Sequence, residues 1–64
     1  MKTKVFISDD NKTINGSIVG IKKIEKTTSG KILIFNDYNK AYHAAQVLIN
    51  SGYETVRILE REWL

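Results

Sequence analysis

The hydrophobic pattern changes period along the chain, and each change marks an element. From Lys2 to Ser8, Val5 and Ile7 alternate with Lys4, Phe6 and Ser8. A period of two predicts a strand with unlike faces. Asp9-Asp10-Asn11-Lys12 is a cluster of turn formers, and β-branched character resumes at Thr13. Residues 2–19 therefore read as an antiparallel hairpin turning at 9–12. Asn15-Gly16, a strong hairpin dipeptide, is the competing turn, but it would leave a long irregular run before it. In the second strand Ile14 and Ile18 share one phase, Val19 and Ile21 the other, and Ile24 returns to the first. Gly20 lies at that slip, where a β-bulge would re-aim the side chains. Thr27-Thr28-Ser29-Gly30 closes a second hairpin into Lys31.

Ile32, Leu33, Ile34 and Phe35 are apolar in succession. A strand shows alternate residues to opposite faces, so this run predicts a central strand covered on both sides. Asp37 and Asn39 are candidate N-caps. The period then becomes helical to Asn50: Tyr38, Ala41, Tyr42, Ala44, Ala45, Leu48 and Ile49 form one stripe, with Asn39, His43, Gln46 and Asn50 opposite. Gly52 is placed as the left-handed residue after the helix, with Tyr53 folding back on the last turn. Glu54–Glu62 reads as the last strand, Val56 and Ile58 on one face and Arg57, Leu59, Arg61 and Trp63 on the other. A strand, a crossover helix and a strand in one sheet predict a parallel, right-handed unit. The fold class expected is α+β, in the order β-β-β-α-β, with a mixed four-stranded sheet and one helix packed on one face. Residues 1–64 read as one small domain.

Composition narrows the chemistry. A chain of 64 residues buries a thin core. With no cysteine and one histidine, disulfides, thiolate chemistry and Cys- or His-rich metal sites drop out, leaving oligomerisation or close packing as the source of stability. The apolar run Val5-Phe6-Ile7 is too short for a signal peptide or membrane span. A cytoplasmic protein is expected. Abundant Lys, Ile and Asn without proline suggests an AT-rich genome, bacterial or phage. The net charge of +3 is uneven. Residues 1–31 carry seven lysines against Asp9, Asp10 and Glu25, whereas residues 32–64 are net −1.

No catalytic, metal or nucleotide motif emerges. KILIFN followed by AYHAAQVLINSGYETVRILEREW resembles the last third of a rhodanese-type sulfurtransferase domain, over about half the chain. That family's nucleophilic cysteine would fall at Phe35 or Asn36, only Lys40 lies near its anion loop, and its Gly-Gly before the tryptophan is Arg61-Glu62 here. The resemblance implies a strand–helix–strand unit without sulfurtransferase activity. His43 has Asn39 and Val47 as helical neighbours and no orienting carboxylate, so it reads as a surface residue. Asp9-Asp10 lacks the further ligands of a calcium loop and reads as a turn. Ser29-Gly30-Lys31 lacks the upstream glycine and following helix of a phosphate loop.

Two surfaces remain. One helix can cover only one face of the sheet, so Phe6, the Leu33/Phe35 phase of the central strand, Leu59 and Trp63 are expected on the other, with Arg57 and Arg61 at its edge, and Phe6, Leu59, Arg61 and Trp63 are expected to form a protein interface. Contiguous apolar area marks such sites, and Trp with Arg is a hot-spot composition. Closure of a bent sheet over its own second face is the competing outcome. The function expected is a small non-enzymatic interaction or regulatory module without cofactor. Its partner would be a second copy or another protein. The alternative is a nucleic-acid-binding module using Lys22, Lys23, Lys26 and Lys31 around the Thr/Ser/Gly hairpin tip, where a two-stranded ribbon suits the major groove.

Overall fold

The computed structural model describes residues 2–59. Five elements follow in order: β1 (Thr3–Ser8), β2 (Ile21–Lys26), β3 (Gly30–Phe35), α1 (Tyr38–Asn50) and β4 (Val56–Ile58). The strands form one sheet in the order β2-β3-β1-β4, with α1 on one face. The α+β class and the β-β-β-α-β order are thus as the periodicity predicts.

The pairing differs from expectation in an instructive way. Every neighbouring pair is antiparallel. β3 and β4 do run in the same direction, as a crossover requires, but β1 lies between them, so no parallel pair forms. β1 and β2 are likewise codirectional, with β3 between them. The result is a split β-α-β arrangement of the ferredoxin-like kind, in which an irregular segment replaces the helix of the first crossover. The expected hairpin over 2–19 does not form.

The reason lies at the end of β1. The Ser8 hydroxyl donates to the Asp10 carboxylate at 3.0 Å, and the same carboxylate accepts the Glu54 amide. Ser8 N–H donates to the Thr55 carbonyl at 2.9 Å, and Thr55 N–H returns to Ser8 Oγ at 2.9 Å. This clasp ties the turn formers to the start of β4 and sends the chain toward the helix. Tyr53 Oη then donates to the Lys12 carbonyl at 3.0 Å. Asn15 N–H donates to Ser51 Oγ at 2.8 Å. Gly16 lies against Val47 and Gly20 against Lys40. From Ser51 back to Lys40 the helix covers about 16 Å at 1.5 Å per residue. The stretch from Asn15 to Gly20 spans that distance only if extended. Residues 9–20 are a strap along one flank of α1, and Ile18 anchors it to the core. The second strand consequently begins at Ile21, not Thr13. The bulge falls between Ile21 and Lys23, leaving Lys22 as the extra residue, and not at Gly20.

The core is the helix side of the sheet. Thr3, Val5 and Ile7 of β1 stand opposite Phe35, Leu33 and Lys31 of β3. Val56 and Ile58 of β4 complete the floor opposite Ile7 and Val5. Ala41, Ala44, Ala45 and Leu48 of α1 pack on it and are buried. The alanines let the helix approach closely. The buried stripe is narrower than predicted: Tyr38, Tyr42 and Ile49, on its margin, are 37%, 50% and 50% exposed. Both helix ends are closed by residues that the sequence announces, the first by a side chain and the last by backbone amides. Asp37 Oδ1 accepts the amides of Asn39 at 2.8 Å and Lys40 at 3.3 Å. At the other end Gly52 N–H donates to Ile49 O and Tyr53 N–H to Leu48 O, a Schellman motif with Gly52 at φ +93°.

Candidate functional site

The face of the sheet away from α1 can be built row by row from the register. Glu25 of β2 stands opposite Ile32 of β3. Ile32 stands opposite Phe6 of β1, and Phe6 opposite Arg57 of β4. Side chains directly opposite share a face, so Glu25–Ile32–Phe6–Arg57 is one row across the sheet. The adjacent row is Lys23–Ile34–Lys4. Leu59 extends it, because its amide donates to the Lys4 carbonyl at 2.8 Å and strand alternation turns its side chain the same way.

The outcome is an apolar group of Phe6, Ile32, Ile34 and Leu59, with Lys4 of β1 standing between Ile34 and Leu59 and further charge at both edges: Lys23 and Glu25 on β2, Arg57 on β4. Ile34 is buried and Phe6, Ile32 and Leu59 are half-buried. Lys23 and Glu25 are 3.7 Å apart and exposed, a pair weak enough to be exchanged for other partners. No described element lies over this face.

Of the four interface residues expected from the sequence, Phe6 and Leu59 lie together on this face. Arg61 and Trp63 fall outside the described residues. Arg57 lies at the edge of this face as expected, whereas Leu33 and Phe35, expected on it, are buried on the helix side; Ile32, Ile34 and Glu25 were missed. Their signal was present in the β3 run, whose second phase is Ile32 and Ile34, but their neighbours could not be named without the strand order.

The basic hairpin divides between faces. Lys23 belongs to the open face, whereas Lys26 and Lys31 stand opposite each other on the helix side, and Lys22 occupies the bulge. All but Lys31, which is half-buried, are exposed. β2 is an edge strand, and lysines with a bulge are a common guard against edge-to-edge pairing. His43 is exposed on α1, and Asp10 is engaged in the clasp. Among the described residues no three His, Cys, Asp or Glu side chains gather, no cavity opens, and no helix is long and apolar enough to cross a membrane.

The resemblance to a rhodanese-type domain gains no support, since the strands flanking α1 are not neighbours in the sheet. No protein-family model matches the chain, and neither a curated protein nor a solved structure is significantly similar to it.

Proposed function

We propose that this chain is a small non-enzymatic interaction module that self-associates through the open face of its sheet. The observation that supports this most is the group of Phe6, Ile32, Ile34 and Leu59, spread over three neighbouring strands around Lys4 and uncovered by any described element. Other apolar residues are more exposed, among them Ile14, Val19, Ile24 and the stacked Tyr38 and Tyr42, but they belong to the strap, the helix side of β2 and the helix, not to this group. A second copy is the natural cover. Two sheets stacked face to face with α1 outermost would give each thin core a second layer, the remedy small domains commonly use.

Dilution mapping by NMR tests the location. As the protein is diluted from about 1 mM to 10 µM, amide shifts should move at Phe6, Ile32, Ile34, Arg57 and Leu59 and stay fixed at His43 and Gln46. Movement confined to the helix would contradict the proposal.

One observation favours a polyanion as a second partner. Lys26 and Lys31 are like charges directly opposite, an arrangement that destabilises a hairpin unless an anion lies between them. Titration with duplex DNA would then show affinity falling steeply with salt. Absence of binding at about 50 mM salt would remove this second reading.

A further inference from the structure

We infer that the two copies are related by a two-fold axis running parallel to the strands, so that Glu25 of each copy meets Arg57 of the other. The inference rests on the self-association proposed above and specifies its geometry.

A two-fold axis in the plane between two stacked sheets has two simple orientations. Parallel to the strands, it places β2 over the partner's β4 and β3 over the partner's β1, each row lying over the same row reversed. The row Glu25–Ile32–Phe6–Arg57 is then its own complement: acid over base at both ends and aliphatic over aromatic at the centre. The second row sets Lys23 over Leu59 and Lys4 over Ile34, where lysine stems can lie on apolar surface with their ammonium groups directed outward.

Perpendicular to the strands, the axis places β2 over β2. Centred on the first row, it opposes Glu25 to Glu25 and Arg57 to Arg57. Centred between rows, it pairs Glu25 with Lys23, a contact each chain already makes internally, and leaves Arg57 over Leu59 without compensation. Only the parallel axis gives Arg57 a carboxylate.

The dimensions permit it. β2 and β4 are three strand spacings apart, about 14 Å, so each edge is about 7 Å from the axis. The twist of aligned sheets, near 30°, displaces an edge residue from its counterpart by about 4 Å. Glutamate and arginine side chains together span that offset and the about 10 Å between stacked sheets.

The test is a charge exchange read by sedimentation equilibrium, with circular dichroism confirming that each variant is folded. Glu25 and Arg57 are both exposed, so reversal should leave the fold intact. Glu25→Arg and Arg57→Glu should each weaken dimerisation about tenfold, because each turns two attractive contacts into two repulsive ones. The double variant E25R/R57E should return to within about threefold of the wild-type constant. Added salt should strengthen the single variants and weaken the wild type. A wild-type dimer indifferent to the single reversals, or one whose affinity is restored by K23E/E25K and not by E25R/R57E, overturns this axis while leaving self-association standing. A wild type that stays monomeric at about 1 mM overturns self-association itself, and this arrangement with it.

Discussion

Thr3, Gly30 and Gly52 differ in how much slack their surroundings leave. Thr3 is fully buried on the helix side of β1, and its hydroxyl finds no hydrogen-bond partner among the described residues. Valine has the same shape without the orphan group, so Thr3→Val should stabilise the fold by about 1–2 kcal/mol, measured as a shift in the urea midpoint at constant slope. No gain would mean that the hydroxyl is satisfied in solution. Gly30 and Gly52 are both required, for different reasons. A Cβ on Gly30 would lie 2.0 Å from the Ile7 carbonyl oxygen and 3.1 Å from the Phe6 ring. A Cβ on Gly52 would meet nothing within 4 Å and suffer only from the positive φ. Gly52→Ala should therefore cost about 1 kcal/mol. Gly30→Ala has to displace β1 backbone and should cost about 3 kcal/mol or more. Equal losses in a denaturation series would contradict this account.

At the scale of elements, what could be read from the chain was whatever is encoded locally. Asp37 as N-cap, Gly52 and Tyr53 as the helix stop, and the alternation of Val5 and Ile7 all depend on neighbours within a few residues, and all appear in the structure. Partner choice between strands is not local. The β-branched residues Ile14, Ile18 and Val19 invite a strand, but only Ile18 reaches the core, while Ile14 and Val19 are 42% and 58% exposed. What overrides the strand pattern is the clasp of Ser8, Asp10, Glu54 and Thr55, made between residues more than 40 positions apart, which no periodicity signals. The same blindness hid the strand order, and with it the row that joins Glu25 to Arg57. Asp10→Ala removes the acceptor shared by the Ser8 hydroxyl and the Glu54 amide. The expected result is a loss of about 1–2 kcal/mol with hydrogen exchange accelerated at Glu54 and Thr55 and unchanged in the β2–β3 hairpin. Uniform acceleration throughout the sheet would show that the clasp is no separate unit.

At the scale of the whole molecule, the one helix and four strands of the described residues support a fold whose margin is a few kcal/mol. Phe35 is fully buried where β3 meets Thr3 and Ile21, and Phe35→Ala should cost about 3–5 kcal/mol, enough to unfold an isolated chain. Association would add to this margin in proportion to concentration, so thermal midpoints should rise as the protein is concentrated. The open face ties stability to function in this way. The most direct test is sedimentation equilibrium of the wild type beside Phe6→Asp, over about 1 µM to 1 mM. The account predicts a wild type that moves from the 7.3 kDa chain mass to twice that mass, and a folded Phe6→Asp variant that remains monomeric throughout. A wild type monomeric over the whole range, or a Phe6→Asp variant that dimerises equally well, would contradict it.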